Sequence, residues 1–125
     1  MRTRRSTVTA AAVASALLVL LPTAAQAATY TSTKSAGGTL RATAKFVQDG
    51  DRYTIKDEAS DGKSAILLKS DANGSGYYPN TGGAGSTLTI DPNLPEGSTI
   101  SFAACYGESS NPTAASCATV QYHTA

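Results

Sequence analysis

From Thr39 to Gln48 the side chains alternate in character. Leu40, Ala42, Ala44 and Phe46 fall on one side, and Arg41, Thr43 and Lys45 on the other. A period of two marks a strand with one face in a core and one in water. Tyr53 and Ile55 alternate in the same way with Arg52, Thr54 and Lys56. Between these segments Asp49-Gly50 suits a hairpin turn, because Asp-Gly tolerates the positive φ that a tight turn requires. Ser64 to Lys69 contains the continuous run Ile66-Leu67-Leu68, which predicts a central strand or burial on both faces. Tyr77 and Tyr78 begin a short segment ended by Pro79, and Ser86 to Ile90 offers Leu88 and Ile90 as inward positions. Two prolines mark Asp91 to Gly97 as a loop.

Turn dipeptides recur at short intervals: Asp49-Gly50, Asp61-Gly62, Asn73-Gly74, Gly82-Gly83 and Glu96-Gly97. Turn signals separating short alternating segments predict an all-β chain, here a small antiparallel β-sandwich of about seven short strands. The last two segments allow a register to be proposed. Ile100 and Phe102 are inward in Ser98 to Tyr106, while Ser101, Ala103 and Cys105 face outward. In Ser116 to His123, Ala118, Val120 and Tyr122 share one face, leaving Cys117, Thr119 and Gln121 on the other. Setting Cys105 opposite Cys117 brings Phe102 opposite Val120 and Ile100 opposite Tyr122. The predicted bridge then lies on the face away from the core, and a one-residue slip would invert every side chain.

The longest apolar stretch, Ala10 to Leu21, follows Arg2, Arg4 and Arg5 and precedes Pro22 and Ala25-Gln26-Ala27. A positive start, a short apolar centre and a small-x-small end read as a secretory signal peptide cleaved after Ala27. The apolar centre is shorter than the roughly 20 residues a membrane span needs. Arg4-Arg5 also fits a twin-arginine leader, but Thr7 and Val8 follow where such leaders are strongly apolar, so general secretion is expected. Residues 1–27 are thus read as leader and 28–125 as one secreted, extracellular β-sandwich domain.

Removing the leader changes the charge. Three of the ten basic residues lie in it, so seven remain against nine acidic ones, and the net charge passes from +1 to −2. A mildly acidic domain without a basic cluster is a poor match for nucleic acid, whose binding rests on neutralising phosphates, and for an anionic membrane surface. Export also places the only two cysteines, Cys105 and Cys117, in an oxidising compartment, where an even count reads as a disulfide. Closing so short a loop stabilises by roughly 3 kcal/mol on the chain-entropy model.

Candidate chemistry is sparse, and no cofactor is expected. His123, the only histidine, sits near the C-terminus and reads as an exposed strand end. Ser75 in Gly74-Ser75-Gly76 lacks the surroundings of a nucleophile elbow. The carboxylates around Asp49, Asp51, Asp57, Glu58 and Asp61 could serve a hydrolase, but there is no Trp to line a sugar cleft, and Asp49 and Asp61 suit turns as backbone acceptors. Asp71-Ala72-Asn73-Gly74-Ser75-Gly76 copies the first half of an EF-hand loop, with Gly82 where the bidentate Glu belongs. Asp71 and Asn73, with Asp57 and Asp61, are therefore calcium candidates set against a plain Asn-Gly hairpin. The disulfide closes Tyr106 to Ser116, and Tyr106, Glu108, Asn111 and Pro112 form the candidate binding loop, since a loop held at both ends loses less entropy on binding.

The run Phe46 to Ala65, with Pro95-Glu96-Gly97 leading into a cysteine-bearing strand, resembles small secreted proteins of actinobacteria. That resemblance implies export and no particular activity. The expectation is a secreted non-catalytic domain that binds an extracellular protein or cell-surface component. The alternative is an inhibitor of an extracellular hydrolase acting through residues 106–116.

Overall fold

The computed structural model describes residues 28–125; the leader expected over residues 1–27 lies outside the described residues. Nine strands form: β1 (Thr29–Ala36), β2 (Thr39–Val47), β3 (Arg52–Asp57), β4 (Ser64–Asp71), β5 (Gly74–Asn80), β6 (Thr87–Ile90), β7 (Thr99–Gly107), β8 (Ser116–Cys117) and β9 (Gln121–Thr124). They build two antiparallel sheets, β1-β2-β3-β6 and β5-β4-β7, with β8 and β9 both on the far edge of β7. The core between them is made by the alternating positions. Ala42, Ala44 and Phe46 of β2 and Tyr53 and Ile55 of β3 meet Ala65 and Leu67 of β4 and Ile100, Phe102 and Ala104 of β7. Leu94, from the proline-marked loop, is buried in the same core.

The fold class and the disulfide are as the pattern predicts, with two strands more than expected. The first addition is β1. Its inward positions are Tyr30, Ser32 and Lys34, too polar to signal a strand. Gly37 and Gly38, at φ 58° and 78°, make the tight turn into β2 that only glycines take easily at both places. The β1–β2 ladder then slips, because Lys34 faces Ala42 while Ser35 faces Leu40, leaving Arg41 as an extra residue. A bulge breaks the alternation on one strand, and Leu40, expected inward, is exposed. At the next turn the positive φ values fall on Gly50 and Asp51, and Asp49 is simply exposed.

β4 is central, as its apolar run requires: Ala65 and Leu67 face the core, and Ile66, on the other side, is also fully buried. Pro79 does not end β5 but lies within it, opposite Ile66. Proline lacks a ladder donor, and an edge strand is where that loss is harmless. Gly76 lets the Tyr78 ring lie close over the backbone, within 3.3 Å of where a Cβ would stand.

The C-terminal segment departs most from expectation. Cys105 does face Cys117, and the two are bonded. Beyond that, Phe102 faces Gln121 and Ile100 faces His123, not Val120 and Tyr122. One extra residue between Ala118 and Gln121 divides the predicted strand into β8 and β9 and inverts its end. Tyr122 is turned out to 72 % exposure, while His123 is turned in. The gain is in hydrogen bonding. The Ala104 C=O accepts from Ala118 N–H, but the Ala104 N–H, facing the break, donates to Ser32 Oγ of the opposite sheet at 3.0 Å. Gln121 Nε2 reaches Thr31 O at 2.8 Å, tying β9 to β1. On the opposite flank Asn80 Nδ2 of β5 donates to Ile55 O of β3 at 3.1 Å.

Ser32 is only 2 % exposed, so its loss leaves a buried amide without an acceptor. Ser32→Ala is expected to cost about 1–3 kcal/mol in urea unfolding, against at most about 0.5 kcal/mol for Thr33→Ala on the exposed face of the same strand. Equal costs would mean that the cross-sheet bond contributes nothing.

Candidate functional site

The candidate binding loop folds back on the domain. After Tyr106, backbone bonds from Asn111 to Glu108, Ala114 to Asn111 and Ala115 to Pro112 wind it into a 3-10 turn over Pro112–Ala114. The turn packs against β5, and Ala115 crosses Gly107 so closely that a Cβ there would lie 3.0 Å from the Ala115 Cα. The disulfide lies on the outer side of the second sheet, as predicted, with Cys105 fully buried beside Ile66.

Tyr106, Glu108 and Asn111 are brought together around a concavity of about 230 Å³ that Lys63 completes; Pro112 instead opens the turn. Lys63 Nζ meets Glu108 Oε1 at 2.8 Å, and that hydrogen bond raises the Lys63 pKa. Arg41, freed by its bulge, places its guanidinium 5.9 Å from the centre of the Tyr106 ring and pairs with Asp61 at 2.8 Å. Cation and carboxylate neutralise each other at each of these contacts, so the concavity presents mainly the Tyr106 ring, the Asn111 amide and backbone.

The calcium candidates fall in two separate places: Asp57 and Asp61 line one depression before β4, and Asp71 and Asn73 lie at the far end of that strand. Asp61 and Asp71 lie at opposite ends of the eight-residue strand β4, on the order of 20 Å apart. Asp61 accepts from Arg41 and from the Lys63 amide, which is the turn role expected of it, and Asp57 accepts from the Ala59 amide. Asp71 Oδ1 accepts from the Asn73 amide, the plain hairpin alternative. Among the described residues no group of three or more His, Cys, Asp or Glu side chains gathers in metal-binding geometry.

Asp71 has a second role. Its Oδ2 receives Lys69 Nζ at 2.9 Å and Tyr53 Oη at 3.0 Å, with the Lys69 and Asp71 side chains 5 % and 0 % exposed. The Lys69 ammonium also stands 5.6 Å and 5.2 Å from the ring centres of Tyr53 and Tyr78. Burial and the hydrogen bond to Asp71 push the Tyr53 phenol far above its usual pKa, so it stays protonated as a donor. Nearby, Asp51 Oδ1 is buried without a hydrogen-bond partner. A signal for this node exists in the chain: Lys69 follows Ala65 and Leu67 at the inward period of β4. His123, expected to be exposed, is half-buried instead. Its ring stacks on Tyr30 with centroids 3.6 Å apart, and Nε2 is 3.0 Å from Gln121 Oε1. Loss of water around the ring lowers its pKa.

The two sheets show solvent very different faces. On the first, Lys45, Arg52 and Lys56 stand among Thr43, Thr54 and Thr87 around a shallow depression of about 420 Å³. Arg52 is paired with Asp91 at 2.9 Å and Lys56 with Glu58 at 3.5 Å. On the second, the outward strand positions are serine, threonine, cysteine, aliphatic, proline and tyrosine, with no charge among them. Tyr122 and Leu40 are the only large hydrophobic side chains exposed among the described residues, and only Tyr122 lies on this face.

These features define a two-sheet β-sandwich with a disulfide loop folded back against β5, one sheet face bearing cations and the other uncharged at its strand positions. No family model, curated protein or solved structure matches the chain.

The buried pair and the histidine each make a prediction. Lys69→Met or Asp71→Asn alone is expected to cost about 3–5 kcal/mol, because each strands a buried charge, with most of the loss recovered in Lys69→Met/Asp71→Asn. Additive losses in denaturant titrations of the three variants would show that the two groups are uncoupled. For His123 the folded pKa lies below the unfolded value near 6.5. Its contribution is therefore complete above that pH and is lost as the pH falls through the lowered folded value. The drop in melting temperature between pH 7 and pH 5 is expected to be larger for the native protein than for His123→Phe; equal drops would refute the coupling.

Proposed function

We propose that the chain is exported by residues 1–27, as the resemblance to actinobacterial secreted proteins implies, and that residues 28–125 act outside the cell as a non-catalytic binding domain or surface component. The observation that carries this reading is the uncharged outer face of the second sheet, whose rows beyond the disulfide loop bear the exposed Tyr122 and Ser75 beside the half-buried Tyr77, Leu68, Ser70 and Ser101. An aromatic side chain standing in water on a rigid sheet is the kind of group that anchors recognition. A disulfide and a leader with an Ala-Gln-Ala end support the location. Among the described residues no helix is long and apolar enough to cross a membrane.

An inhibitor working through residues 106–116 would present the loop away from the body of the domain. Its folded-back course against β5 favours the open sheet face as the site of contact.

Expression of the full chain with its leader tests both halves of the reading. The protein is expected outside the cell, beginning at Ala28 and lighter by two hydrogens for the disulfide, and sedimenting with insoluble envelope material. Replacing Tyr122 by Ala should release it into the soluble fraction. Retention inside the cell with an intact leader would sink the location, and equal sedimentation of the Tyr122→Ala variant would sink the assigned face.

A further inference from the structure

Strand register orders the open face into rows. Where the disulfide loop lies back, Ile66 and Cys105 are fully buried. The next row holds Tyr77 of β5, Leu68 of β4 and Ala103 of β7, with Tyr77 and Leu68 half-buried. The row after it runs Ser75, Ser70, Ser101 and Tyr122 across β5, β4, β7 and β9. Ser70 and Ser75 share a hydrogen bond of 2.6 Å, which aligns their hydroxyls along the row. Neighbouring strands lie about 4.8 Å apart and successive outward rows about 6.8 Å, so Tyr77 and Tyr122, three strand spacings and one row apart, stand roughly 16 Å from each other, with Leu68, Ala103, Ser70 and Ser101 between.

We infer that this face binds a neutral polysaccharide chain. The inference rests on the reading of the second sheet as the binding face and names its partner. Charge complementarity selects the class: among the described residues the outward strand positions of this face carry no cation to meet a phosphate or uronate and no carboxylate to meet a basic segment, and Lys63 and Glu108 at its loop end are paired with each other. Tyrosine offers a ring for the C–H face of a sugar and a hydroxyl at its edge. The serine row offers donors and acceptors that need no counter-charge. The openness of the surface suits an extended polymer more than a small ligand, which a closed pocket would surround. A protein partner, including a second copy, requires a hydrophobic centre to its interface, and here two tyrosines set apart at the ends of the face, one exposed and one half-buried, and a half-covered leucine are all that the open rows supply.

Native electrophoresis of the purified, oxidised protein through gels containing dextran, hydroxyethyl cellulose, xylan, galactomannan or polygalacturonate tests this. Retardation is expected in at least one neutral gel, with about a tenfold weaker affinity for Tyr122→Ala and a similar loss for Tyr77→Ala. With each protein's mobility taken relative to its own in a polymer-free gel, Lys45→Gln on the opposite face should be retarded as much as the native protein in these neutral gels. Binding only to polygalacturonate, lost in Lys45→Gln, would overturn the inference in favour of the cationic face. So would migration unaltered in every neutral gel, or a dimer in light scattering that Tyr122→Ala abolishes. If the protein still sediments with envelope material through Tyr122 while no neutral polymer retards it, the binding face stands and the assigned partner falls. If both fail, the parent reading falls with it.

Discussion

One backbone amide, that of Ala104, organises the way the two sheets meet. It faces the edge of β7 at the point where the C-terminal segment carries an extra residue, so the ladder cannot satisfy it. A buried N–H without an acceptor costs on the order of 1–3 kcal/mol, and the acceptor comes from the other sheet, as Ser32 Oγ. That bond fixes β1 as a strand despite its polar inward face. It also places Thr31 where its carbonyl can take Gln121 Nε2, and Tyr30 where its ring can stack on His123. The edge that a seven-strand sandwich would leave open is closed by these contacts.

The same device recurs around the core. Asn80 of β5 satisfies Ile55 O of β3, and Tyr53 of β3 donates to Asp71 of β4. In each case an inward polar side chain crosses between sheets. Apolar contact alone is non-directional and tolerates sliding of one sheet over the other; hydrogen bonds buried in low dielectric do not. The disulfide acts differently. It lies outside the core and holds the chain reversal after β7, leaving the orientation of the sheets to the polar crossings.

This division explains what could be read from the chain. The strands of the apolar core follow from alternation alone, because Ala42, Ala44, Phe46, Tyr53 and Ile55 obey the period of two. The cysteine pair was legible because the chain has only two cysteines, an even count that reads as one disulfide. β1 was not, since its inward Ser32 and Lys34 bear no hydrophobic signal, and Ser32 instead serves a backbone amide of the opposite sheet. Nor was the register of β9. Matching Phe102 to Val120 maximises apolar pairing, whereas the molecule turns Gln121 and His123 inward to complete hydrogen bonds and a ring stack that no local pattern encodes. Pro79 misled in another way: it reads as a strand end unless β5 is known to be an edge. Of the candidate loop, Tyr106, Glu108 and Asn111 do converge, but the Lys63 that joins them comes from the turn before β4, a long-range pairing invisible in the order of residues.

The slip that closes the edge also creates the surface assigned to binding. Had Tyr122 faced inward opposite Ile100, the second sheet would carry no fully exposed aromatic ring, and its outer rows would be serines, the half-buried Tyr77 and Leu68, small apolar groups and a buried Cys105. Turning the strand end over exchanges a half-buried histidine for an exposed tyrosine with no change of sequence. It also leaves the uncharged face with an anchor at one end and Tyr77 at the other. The cations at outward strand positions stay on the first sheet, with Arg52 and Lys56 paired with nearby carboxylates, and so do not compete for a neutral partner. The cross-sheet bond of Ser32 and the exposure of Tyr122 are thus two consequences of the same extra residue. Any variant that restored a continuous last strand would lose both together.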